Sequence, residues 1–84
     1  MSKERERTFT AIRHAIAEVL PDLEVNTVST EDRLHDLGAD SVERAEVLIL
    51  AMEELAVNIP MVDFAQSKNI AGVIDVFERA LEEA

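Results

Sequence analysis

The stretch Leu37-Gly38-Ala39-Asp40-Ser41-Val42, running straight into the apolar, acid-edged segment 43–55, constrains this chain more than any other. Glycine reaches backbone angles closed to other residues, and Asp40 and Ser41 are both residue types that cap helices well. The segment reads as a loop that turns sharply into a helix, with Ser41 at its mouth. A hydroxyl there lies close to unsatisfied backbone N–H groups and the positive end of the helix dipole, surroundings that suit an anion such as a phosphate ester. A simpler reading stands beside this one, in which Ser41 serves only as the cap.

The helix that follows, residues 41–56, carries more apolar surface than one buried face requires. With about 100° between successive residues, Val47, Leu48, Ala51 and Leu55 form one stripe, and Val42, Ala45, Ile49 and Met52 form another beside it. The first stripe suffices for a core. The second descends from Ser41 between Glu43, Glu46 and Glu53, the pattern of a protein-docking face with an apolar centre and a charged rim. Burial of the whole helix among three neighbours would explain the same pattern.

The rest of the chain is helical in period. Residues 3–20 place Phe9, Ile12, Ile16, Val19 and Leu20 on one face, with Ser2 as a cap and Pro21 as a stop. Residues 21–40 hold no period. Val25, Val28, Leu34 and Leu37 are expected to tack this long loop to the core, with a short turn near residues 31–35; a loop of about 20 residues is usually functional. Pro60 suits the first position of a short helix over residues 61–65, from which Val62, Phe64 and Met61 would plug one end of the bundle. Ser67 and Asn69 offer caps for a last helix that turns Ile70, Val73, Ile74, Phe77 and Leu81 inward and leaves Asp75, Glu78, Arg79 and Glu82 in water. The predicted fold is all-α: a small four-helix bundle of three long helices and one short one, with a long loop between the first two.

Composition narrows the function. A chain of 84 residues supports a core and a surface site but no deep catalytic cleft in addition. Eighteen acids against eight bases give a net charge of −10, which repels nucleic acid and anionic membranes and favours basic protein surfaces. With no cysteine there is no disulfide, no thiolate metal site and no thiol nucleophile, so any thiol chemistry must arrive on a cofactor. No apolar run approaches the roughly 18 residues of a membrane span, and no basic-then-apolar leader opens the sequence, so a cytoplasmic location is expected.

Catalytic and metal constellations are poorly supported. His14 and His35 lack paired-ligand spacing. A triad of Ser41, His35 and Asp36 or Asp40 would draw on one short segment, with no sign of an oxyanion hole. The acids of the second helix have no groove to hold a sugar between them, and Gly38 and Gly72 stand too far apart to make a phosphate-cradling loop.

Taken together, Gly38-Ala39-Asp40-Ser41-Val42, the helix ending Met52-Glu53-Glu54-Leu55 and the downstream Ile59-Pro60 resemble the acyl carrier proteins of fatty acid and polyketide synthesis, over nearly the whole chain. The resemblance implies one carrier domain over residues 1–84, without catalytic residues or metal, acting as a monomer. It implies that Ser41 receives 4′-phosphopantetheine from coenzyme A, beside Gly38, Asp40 and Val42, and that the terminal thiol of this arm holds acyl groups as thioesters. It further implies that Asp40 helps a phosphopantetheinyl transferase and its magnesium engage the serine. Val42, Glu43, Ala45, Glu46, Ile49, Met52 and Glu53 would then meet the partner enzymes, among them an acyltransferase.

Departures from the family pattern point further. Val42 replaces the usual leucine, Arg44 a small or polar residue, and Met52 a position often acidic. The segments Asp40-Ser41-Val42-Glu43-Arg44-Ala45-Glu46, Asn58-Ile59-Pro60-Met61-Val62 and Lys68-Asn69-Ile70 are more similar to the freestanding carriers of polyketide β-branching cassettes, which donate acetyl to a hydroxymethylglutaryl (HMG) synthase-like enzyme. A general carrier feeding ketosynthases in fatty acid or polyketide synthesis is the alternative of the same class. An unmodified acidic helical adaptor is the alternative of another.

Overall fold

A computed structural model describes residues 2–83. The first helix, α1 (Lys3–Val19), starts where the serine cap predicts: Ser2 Oγ accepts the Arg5 N–H at 3.1 Å. It ends as Leu20 N–H bonds back to the Ile16 carbonyl at 2.7 Å, and Pro21 follows. Ile12 and Ile16 are fully buried between Ala11 and Ala15, while Phe9, Val19 and Leu20 close the edges half-buried. Full burial of each large side chain contributes about 1.5–3 kcal/mol.

Residues 21–40 wrap the core as a loop. Val28 and Leu34 are buried anchors, and Leu23, Val25 and Leu37 pack beside them. A 3₁₀ turn at Val25–Thr27 lies outside the expected turn. The turn expected at residues 31–35 resolves into two. Ser29 and Asp32 close the first, as Ser29 N–H donates to Asp32 Oδ2 at 2.8 Å and Asp32 N–H returns to the Ser29 carbonyl at 3.1 Å. The second spans residues 33–38, where Leu37 N–H reaches the Arg33 carbonyl at 3.1 Å.

The second helix, α2 (Ser41–Leu55), and the third, α3 (Ile70–Glu83), both pack on α1. Asn69 caps α3, its Oδ1 accepting the Gly72 N–H at 2.9 Å. Two further amides at the start of α3 are satisfied from the long loop: Ile70 N–H donates to the Asp32 carbonyl at 2.9 Å and Ala71 N–H to the Thr30 carbonyl at 2.8 Å. Ile70, Val73, Ile74 and Phe77 face inward as predicted, joined by Val76, with Leu81 half-buried. Glu78 departs from expectation by being half-buried. It shares the Arg5 guanidinium with Asp75, whose Oδ1 lies 2.6 Å from Arg5 Nη1. The hydrogen bonds to Asp75 and then to Glu78 raise the Arg5 pKa and tie α1 to α3.

The described residues form three α-helices and two 3₁₀ turns, with no strand. In place of a short α-helix, residues Met61–Phe64 make one 3₁₀ turn after Pro60. Phe64 alone plugs the bundle, its ring centroid 5.4 Å from that of Phe77 at 51°. Val62 is 75% exposed and Met61 41%, contrary to their expected burial, because a single turn with three residues per turn aims only one side chain at the core.

One buried group works against this core. Thr8 is wholly buried on α1, and its Oγ1 has no hydrogen-bond partner among the described residues. A desolvated, unsatisfied hydroxyl costs about 1–3 kcal/mol. Thr8→Val, which keeps the shape and removes the polar atom, is therefore expected to stabilise the fold. A rise of about 1 kcal/mol moves the melting midpoint of a domain this size upward by roughly 4–8 °C. Calorimetry of the two proteins checks it, and a lower midpoint for the variant would contradict the reading.

Candidate functional site

The approach to Ser41 is built from a tight turn. Gly38 N–H donates to the His35 carbonyl at 3.1 Å, and Gly38 takes φ +103°. A Cβ there would meet nothing within 4 Å, so the glycine is required by its backbone angle and not by crowding. Ala39 is then drawn into the core at 2% exposure, its N–H donating to the Leu34 carbonyl at 3.2 Å. The chain leaves this buried point directly into the helix.

Asp40 is the N-cap, with extended backbone angles of φ −76° and ψ −178°. Its Oδ1 accepts the Glu43 N–H at 2.8 Å, and Glu43 Oε1 accepts the Asp40 N–H at 3.0 Å. This reciprocal capping box satisfies two of the orphan donors at the helix start. Ser41, at the first helical position, is exposed, and its hydroxyl makes no hydrogen bond among the described residues. The cap is therefore Asp40, and the serine oxygen is unengaged. The amides of Ser41 and Val42 point out of the same helix start without a partner among the described residues; the Glu43 N–H is the next to bond, to Asp40 Oδ1, and the Arg44 N–H follows, to the Asp40 carbonyl at 2.9 Å. An exposed hydroxyl between two open N–H groups at a positive helix end fits a phosphodiester. The Asp40 and Glu43 carboxylates, both held in the cap, bring opposing charge.

Along α2, Val42 is 64% and Ile49 46% exposed, Ala45 is half-buried, and Glu46 and Glu53 stand in solvent. Glu43 is half-buried in the capping box. Met52 is the correction to the expected exposed stripe, because it is buried at 7%. Ala56 ends the helix in the left-handed conformation at φ 55°, Val57 N–H bonds to the Met52 carbonyl at 3.0 Å, and the chain folds back until Ile59 N–H meets Met52 Sδ at 3.4 Å. Met52 therefore forms the floor of a groove whose rim includes Ile49, Glu53 and Met61. Met61 and Val62 were not anticipated as surface residues, and no periodicity in so short a segment could have revealed it.

His35 Nδ1 lies 3.5 Å from Asp36 and makes no bond to Ser41 among the described residues. His14 is placed elsewhere, on the α1–α2 seam, 2.9 Å from Glu54. No group of three or more His, Cys, Asp or Glu among the described residues is arranged to hold a metal ion. Among the described residues, no helix is long and apolar enough to cross a membrane.

Comparison with known proteins fits this geometry. Residues 10–77 match the family described as the phosphopantetheine attachment site. The chain is 36% identical over 81 residues to the polyketide biosynthesis acyl-carrier-protein AcpK of Bacillus subtilis (strain 168), covering 96% of this chain and 99% of that one. Its fold matches, with a TM-score of 0.79 and 39% identity, a chain in the crystal structure of the curacin biosynthetic pathway HMG synthase in complex with acetyl donor-ACP, covering 92% of this chain and 96% of that one. This chain belongs to the phosphopantetheine-binding acyl carrier proteins, which hold a group for other enzymes and catalyse nothing themselves.

Proposed function

We propose that this protein, as one carrier domain, is the acetyl donor of a polyketide β-branching system, with 4′-phosphopantetheine esterified to Ser41. The observation that carries the donor reading is the likeness, at 39% identity and over almost the full length, to the carrier found with an HMG synthase. Ser41 is favoured as the attachment point by its unengaged hydroxyl, its two open neighbouring amides and the Gly38 turn that presents it. The arm supplies a thiol, which this cysteine-free chain lacks, and a thioester on it keeps the acyl carbonyl activated. Tethering raises the effective concentration of that carbonyl at each partner. A phosphopantetheinyl transferase installs the arm, and an acyltransferase or the HMG-synthase-like enzyme meets the protein at Val42, Glu43, Ala45, Glu46, Ile49 and Glu53.

The test is acetyl transfer from the loaded protein to an HMG-synthase-like enzyme and, in parallel, to a fatty acid ketosynthase. Faster transfer to the first supports the donor reading, and equal rates would leave only a general carrier. Two substitutions should separate contact from steering. Ile49→Ala removes apolar contact and should raise the dissociation rate by roughly three- to tenfold. Glu46→Gln should instead lower the association rate and flatten its salt dependence. Met52→Glu is unsuited to this purpose, because it would force a carboxylate into a site now 7% exposed.

A further inference from the structure

Cysteine, tryptophan and tyrosine are all absent from this chain, so its methionine thioethers are the groups in the polypeptide that a peroxide oxidises most readily. Two of the three methionines, Met52 and Met61, lie among the described residues, and both line the groove at the C-terminal end of α2. Their settings differ. Met52 forms the floor at 7% exposure, and its Sδ accepts the Ile59 N–H at 3.4 Å, so one sulfur lone pair faces a buried amide and little of the side chain reaches solvent. Met61 stands on the rim at 41% exposure, in a 3₁₀ turn from which Phe64 alone enters the core. Ile49, also exposed, lines the same groove, and Val62 follows Met61 in the turn, so Met61 carries the exposed apolar edge of α2 onto the turn. An unbranched, polarizable thioether is well suited to adapt to a partner at such an edge.

We infer that Met61 is a site of reversible modification: a peroxide oxidises its thioether to the sulfoxide ahead of Met52, and the sulfoxide weakens docking of the HMG-synthase-like partner across the Ile49 edge. The second half rests on the donor reading and the docking face proposed above. In the step, the Met61 sulfur attacks one peroxide oxygen, and the S–O bond forms as the O–O bond breaks. The departing hydroxide takes the proton left on the transferred oxygen and leaves as water. Sulfur is oxidised by two electrons and the peroxide is reduced by two. A flexible apolar group thereby becomes a polar, chiral one, whose S–O dipole must be desolvated when a partner closes over it. The fold is spared, because Met61 lies outside the core. At Met52 the same oxygen would have to be accommodated beneath the Ile59 backbone, so oxidation there would act through the fold. A methionine sulfoxide reductase reverses the change at Met61, the oxygen leaving as water while a dithiol becomes a disulfide.

The test has two stages. The full chain is treated in its apo form with hydrogen peroxide, so that no arm thiol competes, and the oxidised positions are followed by peptide mass spectrometry. Met61 should gain oxygen at least about tenfold faster than Met52. Comparable rates, or Met52 first, overturn the site. Catalase then removes the peroxide, and a phosphopantetheinyl transferase with coenzyme A loads the protein oxidised at Met61. Its affinity for the curacin-pathway HMG synthase, measured by calorimetry, should be about three- to tenfold weaker than that of the untreated chain. Treatment with methionine sulfoxide reductase and dithiothreitol should restore it. Met61→Leu taken through the same peroxide treatment should lose no affinity, and Met61→Gln, polar without any oxidant, should reproduce the weaker binding. Equal affinity of the oxidised and untreated proteins overturns the docking consequence, as does a loss that Met61→Leu shares. A melting midpoint that falls on oxidation of Met61 alone would place the effect in the fold and overturn it too. Failure of the untreated chain to bind the synthase at all would instead count against the donor reading, and the order of oxidation would still decide the site.

Discussion

Ser41→Ala is expected to abolish loading altogether while leaving the fold intact. Incubated with a phosphopantetheinyl transferase and coenzyme A, the wild-type chain should gain the mass of one 4′-phosphopantetheine, and the variant none. Folding should survive because Ser41 contributes no side-chain hydrogen bond among the described residues, and the helix start is closed by Asp40 and Glu43. Alanine at the first helical position carries no propensity penalty. Intact mass spectrometry reads the first outcome and circular dichroism the second. Persisting modification, at Ser29 or Ser67 for example, would overturn the assignment. Ser29 Oγ is already engaged by the Glu31 N–H at 3.0 Å, which makes it the weaker candidate.

Phe77→Ala should cause the largest loss of stability. Phe77 is fully buried on α3, and its ring meets Phe64, the one side chain through which the Met61–Phe64 turn joins the core. Truncating such a phenylalanine costs about 3–5 kcal/mol, against a total of about 5–15 kcal/mol for a domain. At roughly 4–8 °C per kcal/mol for this size, the melting midpoint should fall by more than 10 °C. Ile74→Ala, also from a fully buried position, should cost about 2–5 kcal/mol. Thermal melts in which neither variant shifts would show that α3 is not held by this stripe.

Much of this architecture was legible because its causes are local. Ser2, Gly38, Pro60 and Asn69 act within a few residues of themselves, so the starts of α1 and α3 and the turn into α2 could be read from residue type. Which of two good caps would serve at α2 was not legible. That depended on Glu43 reaching back to the Asp40 amide and closing the box. The misplaced residues have non-local causes. Met52 sits on the expected outer stripe of its helix, but the returning chain at Ile59 covers it. Val62 is apolar like Phe64 two residues on, yet faces outward, because a 3₁₀ turn formed where an α-helix was expected. The carbonyls of Thr30 and Asp32 hold the start of α3 across more than thirty residues, a tie no window of sequence displays. Arg33, Arg44 and Lys68 likewise come from three separate segments and line one groove only in the folded chain.

The capping box at Asp40 and Glu43 bears on how a pathway using this carrier is controlled. Since the helix start is closed by Asp40 and Glu43 and not by the serine oxygen, the proposed esterification of Ser41 would break no bond that maintains the proposed docking face. On that proposal, unloaded molecules would present the same exposed Val42 and Ile49 to partners as loaded ones. On the proposed assignment, the unmodified protein is expected to compete with its modified form for partners, so throughput would depend on the fraction modified as well as on the amount of chain produced.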